Sequence, residues 1–217
     1  MGKVPGLVDM LLNAADPESA LFTRKLGENA CEQAAGAAMI LTLCKHNQAY
    51  YLEEDTVINI LQKLLKDENG SIRGYAAACF HNIASVTNNV PKIVAFQDTL
   101  IVKFLLETTN DPNDLVCQYA VEALKSLAPE IAGQELTITT NILGTMSNIA
   151  NSQRSIDVKI CASVALRTLT DVITASNPKF HTCLLTVLVT AEKTDNDTKV
   201  YVNIAQALHK QATLVAN

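Results

Sequence analysis

Cys117-Gln-Tyr-Ala-Val-Glu-Ala-Leu-Lys-Ser-Leu127 decides the fold of this 217-residue chain. Ala120, Ala123, Leu124 and Leu127 fall at i, i+3, i+4 and i+7, the spacing that sets apolar side chains along one face of a helix. The same order of small and large residues recurs at Ala162, Ala165, Leu166 and Leu169, and at Ala76, Cys79, Phe80 and Ile83. Residues 32–43 and 201–211 complete a set of five. Aligning the large central position puts Ile40, Phe80, Leu124, Leu166 and Leu208 in one column, at separations of 40, 44, 42 and 42 residues. The outer copies are the weakest, as the ends of stacked repeats are: Gly36 and Met39 fill the small sites of the first, and Gln211 ends the fifth.

A second set of helices is expected between these: Pro5 to Ala15, Leu52 to Lys66, Val94 to Thr108, Glu135 to Asn151 and His181 to Glu192. Val57, Ile60, Leu61, Leu64 and Leu65 give the second of them a helical stripe. The connections carry turn and capping chemistry, in Asp67-Glu-Asn-Gly70, Asn110-Asp-Pro-Asn-Asp114 and Asp195-Asn-Asp197. The chain reads as one domain, 1–217, of five helix-turn-helix units at about 4–47, 48–88, 90–132, 134–175 and 179–217.

The run from Asp67 through Arg73 into Ala76-Ala-Ala-Cys-Phe-His-Asn-Ile83, and Asn113-Asp-Leu-Val116 leading into Ala120-Val-Glu-Ala-Leu124, resemble armadillo and HEAT repeats. The resemblance implies an all-α fold, a right-handed superhelix of about five repeats whose work is to hold other proteins. His46 to Leu61, with a short helix ahead of a long one, looks more like armadillo; the units after about Gly133 look more like HEAT. The symportins, import chaperones of ribosomal proteins, mix the two types in that order. The segment Ile156 to Asp171, followed by Ser176-Asn-Pro-Lys-Phe180, resembles one of their units. The basic import signal and long acidic loop of that group are absent here.

The formal charge of −5 excludes a typical phosphate-backbone binder, so nucleic acid is not an expected partner. Neither is a membrane: the densest apolar runs, Leu100 to Leu106 and Cys183 to Val189, fall far short of the roughly 18 residues a spanning helix needs. Lys3 is followed only by the short segment Leu7 to Leu12, broken by Asp9, which is no secretory signal. A cytoplasmic protein, able to enter the nucleus, is expected. Cysteines 31, 44, 79, 117, 161 and 183 lie tens of residues apart in apolar helical contexts without a C-x-x-C pair, which reads as reduced, mostly buried thiols.

On the repeated helices, the positions equivalent to 118, 122 and 125 point roughly opposite the apolar stripe, and the columns at 122, 125 and 126 carry the candidate residues. The first column reads Ala38, Ala78, Glu122, Val164, Gln206. The second reads Leu41, His81, Lys125, Arg167, His209, and the third Thr42, Asn82, Ser126, Thr168, Lys210. The resemblance places these helices along a concave surface. The expected site is therefore a binding face for a protein or extended peptide. Lys125, Arg167, His209 and Lys210 would meet an acidic segment, Asn82 and Thr168 would bond its backbone, and His81, Glu122 and Gln206 would stand beside them. A plain solvated helix face explains the same residues. Importin-α-like proteins use a Trp-x-x-x-Asn ladder; here Asn82 matches the Asn, but Ala78 stands at the Trp position.

Cys44-x-His46, Cys79-x-His81 and His181-x-Cys183 do not make nucleophile-and-base pairs, because residues two apart on a helix point to different sides. Cys79 belongs to the apolar stripe and His81 to the exposed column. Glu53-Glu54-Asp55 reads as dipole-complementing charge at a helix start, and one of Tyr50 and Tyr51 as a packing residue between repeats. No phosphate loop or hydrolase motif is present, so no cofactor, metal or enzymatic activity is expected. Two other readings remain open. One is an accessory enzyme or lyase pairing a reactive cysteine with a histidine or acid from a neighbouring repeat. The other is an architectural stack ending at Leu208, Leu214 and Val215.

Overall fold

The computed structural model describes residues 5–16, 27–53, 55–97, 99–132, 136–170 and 198–215. Among them there are eleven α-helices and no strand. They are α1 (Pro5–Ala15), α2 (Gly27–Leu41), α3 (Lys45–Glu53), α4 (Asp55–Leu64), α5 (Gly70–Ala84), α6 (Val90–Ala95), α7 (Leu100–Thr108), α8 (Asp114–Ala132), α9 (Leu136–Ala150), α10 (Ile156–Leu169) and α11 (Thr198–Val215). The expected helix at 181–192, the turn at 195–197, the His181/Cys183 pair and the segment 176–180 lie outside the described residues. So do Glu54 and the side chains of Gln211, Leu214 and Val215.

The helices form two layers. The repeated helices α2, α5, α8, α10 and α11 make a continuous row in which each packs on the next. Behind them α1 backs α2, α4 backs α5, α6 and α7 back α8, and α9 lies against α8 and α10. One apolar cluster runs between the layers from Val8 to Ala207. Ala76, Ala120 and Ala162 are buried at equivalent places along the row, and their small side chains let successive helices approach closely, where dispersion contacts are densest.

The turns before α5 and α8 are built alike, 44 residues apart. Asp67 Oδ1 accepts from the Asn69 N–H and Asn69 Oδ1 from the Ser71 N–H, both at 2.8 Å. Asp111 Oδ1 accepts from Asn113 at 2.8 Å and Asn113 Oδ1 from Leu115 at 2.9 Å. These bonds satisfy first-turn N–H groups that have no partner within the helix. Arg73 joins the two turns. Its guanidinium holds both Asp111 carboxylate oxygens, at 2.6 and 3.1 Å, and donates to the carbonyls of Asp67 and Glu68 at 2.7 and 2.9 Å. Arg154 repeats the device one unit later, on Asp114 Oδ1 at 3.0 Å and the carbonyls of Asp111 and Thr109. Helix C-termini are closed by buried amides: Gln48 Nε2 donates to the carbonyls of Thr42 and Asn82, and Asn89 Nδ2 to that of Ile83.

The first repeat departs from the expected register. Ile40 is not in the core; it is 60% exposed, and among the described side chains of α2 the buried ones are Ala34, Ala35 and Ala38, with Thr42 just beyond its end. Ala38 therefore takes the column of Phe80, Leu124 and Leu166, which makes the first separation 42 rather than 40. The missing volume is filled by Tyr51, fully buried, whose hydroxyl donates to the Ala38 carbonyl at 2.7 Å. The Thr42 N–H bonds the Met39 carbonyl in a tightened last turn, leaving the Ala38 carbonyl to Tyr51. Gly36 faces the Tyr75 ring, which a Cβ there would meet at 3.4 Å.

Two other helices differ from expectation. The segment Leu52 to Lys66 starts later, because Leu52 belongs to α3 and the long helix begins at Asp55. Glu53 thus ends one helix, while Asp55 lies in the first turn of the next, where its charge suits the dipole. The single helix expected over Val94 to Thr108 is broken into α6 and α7. Phe96 is extended and Gln97 and Thr99 have positive φ, which turns the chain so that both short helices cover α8.

Candidate functional site

On the row α5, α8, α10 and α11, the predicted columns keep their helical spacing and remain at least partly exposed wherever the side chain is polar. His81, Asn82, Glu122, Lys125, Arg167 and Thr168 are half-buried, and Gln206, His209 and Lys210 are exposed. In α2 the corrected register moves Leu41, Ala38 and Thr42 out of these columns. Met39 now stands with His81 and Lys125, Ile40 with Asn82 and Thr168, and Gly36 with Glu122.

Contacts across the repeats bring several of the predicted residues together. Glu122 is the centre of one cluster: its carboxylate faces His81 Nε2 at 3.4 Å, Cys161 Sγ at 3.4 Å and Gln118 Nε2 at 3.4 Å. Tyr119 lies against the His81 ring, centroids 5.9 Å apart. Burial holds the His81 imidazole below its ordinary range; Glu122 pulls the other way and Lys125 adds to the lowering. Its Nδ1 is buried and has no hydrogen-bond partner among the described residues. Asn82 Nδ2 donates to Thr42 Oγ1 at 2.8 Å, and Arg167 to Gln206 Oε1 at 2.8 Å. The Thr168 hydroxyl bonds back to the Val164 carbonyl at 3.0 Å. Lys125 and Arg167 have no carboxylate within ion-pair distance among the described residues.

Sequence reasoning put position 118 on the outward side with 122 and 125, but it did not bring Gln118, Tyr119 and Cys161 into one cluster with Glu122. Their helical positions were readable, since Gln118 is one turn before Glu122, but the approach of Cys161 from the next repeat is tertiary. The cluster does not supply an activated nucleophile. Burial and the Glu122 carboxylate push the Cys161 thiol up to about 12, burial pushes Cys79 up to about 12, and Cys117 rises to about 11. Cys31, Cys44, Cys79, Cys117 and Cys161 are free; two are buried and three half-buried. Cys79 is a core thiol, and His46 is exposed beside half-buried Cys44. Among the described residues no group of three or more His, Cys, Asp or Glu could hold a metal ion, and no helix is long and apolar enough to cross a membrane.

No protein-family model matches the chain, and no curated protein matches it by sequence. Solved structures do match. A crystal structure of an engineered protein is similar at a TM-score of 0.68 and 18% identity, over 98% of this chain and 80% of that one. A designed armadillo repeat protein in complex with the peptide (KR)4 matches at 0.63 and 16%, over 99% and 90%. A second engineered protein gives 0.50 and 16%, over 98% and 100%. The chain thus has the fold of armadillo repeat solenoids over nearly its whole length. The narrower resemblance to symportins gains no support from these neighbours.

Proposed function

We propose that this chain is a non-enzymatic scaffold or adaptor that holds a protein or extended peptide segment along the outward face of the row α5, α8, α10 and α11. The observation that carries this reading is the pair Lys125 and Arg167. They stand in the same column of consecutive helices, half-buried, with no acidic partner among the described residues. Two such cations on an otherwise acidic chain favour a ligand that brings carboxylates. The fold adds support, because a similar solenoid was solved in complex with a peptide. Affinity would be spread over several repeats, each adding a small contact.

Burial raises the pKa of the Cys79, Cys117 and Cys161 thiols, which favours the non-enzymatic reading over a cysteine-based lyase. A cytoplasmic or nuclear setting and a role in carrying or assembling a partner, as in symportins, are the finer parts of the proposal. The test is a pull-down from lysate with the wild type and with the triple variant Lys125→Glu, Arg167→Glu, Lys210→Glu. Loss of bound partners on reversal is the expected result. An unchanged set of partners at unchanged affinity would remove the face from consideration.

A further inference from the structure

The corrected register of α2 changes the chemistry of one end of the binding face. Where later repeats present imidazole, amide, ammonium and guanidinium groups, the first presents Met39, Ile40 and Leu43. Ile40 and Leu43 are 60% and 65% exposed, among the most open large apolar side chains of the described residues. They are neighbours in the turn that ends α2, where the Leu43 N–H bonds the Ile40 carbonyl at 3.1 Å. Met39 packs partly against the core beside them. This patch adjoins the ladder: Ile40 occupies the column of Asn82, and Thr42, two residues on in the turn that ends α2, receives the Asn82 amide. Exposed apolar groups lined up with cations that have no carboxylate partner among the described residues define a surface of two parts.

We infer that the ligand is a single extended segment of two-part chemistry, with an apolar anchor seated on Met39, Ile40 and Leu43 and carboxylates paired with Lys125 and Arg167. This rests on the peptide-binding reading above and names the class of peptide. Charge complementarity decides the occupant of the far end, and continuity of the columns joins it to the apolar end. Spacing follows from geometry. Packed helices stand about 8–10 Å apart, so Lys125 lies about 18 Å and Arg167 about 27 Å along the row from Ile40. At about 3.3 Å per residue of extended chain, the carboxylates belong about five to six and about eight residues from the anchor.

The probes are fluorescein-labelled synthetic peptides on a Gly/Ser/Thr background, read by fluorescence anisotropy. One carries a Leu-Leu pair with Glu residues at those two spacings, and a second the same groups in reversed chain order. Controls replace Leu by Ser, Glu by Gln, or halve the spacing. One chain order should bind, with affinity about tenfold lower for each control peptide. Ile40→Ser with Leu43→Ser should cost about tenfold for the two-part peptide and nothing for the Leu-free one. Lys125→Glu with Arg167→Glu should cost at least as much for the two-part peptide and nothing for the Glu-free one. Unchanged far-UV circular dichroism controls for folding, which the exposure of Ile40 and Leu43 favours.

Equal binding of the Leu-free peptide, indifference to Ile40→Ser with Leu43→Ser, or equal binding of both chain orders overturns the inference. If no peptide binds but the triple charge reversal still strips partners from the wild-type pull-down, the inference falls and the general reading stands. If reversal also leaves the pull-down unchanged, both fall.

Discussion

Replacing Arg73 by Ala tests how the repeats are tied together at their turns. The guanidinium makes two bonds to Asp111 and two to carbonyls of the preceding turn. The Arg73 and Asp111 side chains retain 16% and 9% of their exposure. A fully exposed ion pair contributes about 0–1 kcal/mol, and breaking a buried one costs about 3–5 kcal/mol. This pair is mostly covered but sits at a rim, and Asp111 keeps the Asn113 N–H at 2.8 Å when Arg73 is gone. The expected loss is about 2–3 kcal/mol, a fall in Tm of roughly 4–12 °C for a chain of this size. The assay is urea unfolding followed by circular dichroism, run as a double-mutant cycle with Asp111→Ala, in which a coupling above about 1 kcal/mol is expected. The pH dependence gives a second readout. Hydrogen bonds and charge from Arg73, with the Asn113 N–H and the Arg154 charge, outweigh burial and hold the Asp111 carboxyl below the usual carboxylate range. A depressed carboxyl stabilises the fold above its unfolded pKa, and that stability is lost as pH falls through the folded value. The deficit of the Arg73→Ala variant should therefore shrink in acid. A loss under about 0.5 kcal/mol, negligible coupling, or a deficit independent of pH would refute the reasoning.

Three further predictions follow from burial. His81 has its pKa lowered, so the unfolded chain takes up a proton that the folded chain resists; wild-type stability should fall as pH drops through the ordinary imidazole range, and His81→Gln should flatten that fall in urea titrations at several pH values. Tyr51→Phe removes the hydroxyl's bond to the Ala38 carbonyl and should cost about 1–2 kcal/mol in the same assay, whereas an unchanged midpoint would mean that water replaces it. Alkylation of the folded protein at neutral pH should leave Cys79 and Cys117 unlabelled, and should find Cys161 markedly slower than an ordinary thiol, because burial and the Glu122 carboxylate keep its thiolate scarce; rapid labelling of Cys161 would reopen the enzyme reading.

Much of the architecture was readable because it rests on local periodicity. Ala120, Ala123, Leu124 and Leu127 specify a buried stripe wherever α8 packs, and the same holds for α5 and α10. The ladder positions follow from that stripe, since helix geometry turns Lys125 and Arg167 to the other side. The break between α6 and α7 was not readable. Neither Gly nor Pro marks residues 95–100, and the left-handed conformation of Thr99 is held by the surrounding fold. The Glu122 cluster was hidden for another reason. His81 and Cys161 stand 41 and 39 residues from Glu122, and nothing local to any one helix says which side chains of the next will touch it.

The first repeat shows where the boundary lies. Its sequence sufficed to make α2 an Ala-rich helix, one of five at intervals near 42 residues. Ala34, Ala35, Ala37 and Ala38 offer several equally apolar faces, however, so local patterning left the rotation of the helix open. Two tertiary contacts set it: Tyr51 filling the space over Ala38 and Tyr75 lying on Gly36. A rotation that buried Ile40 would have given up both. Packing of neighbouring aromatic rings, rather than the hydrophobicity of α2, is what turns Met39, Ile40 and Leu43 onto the face where a partner would bind.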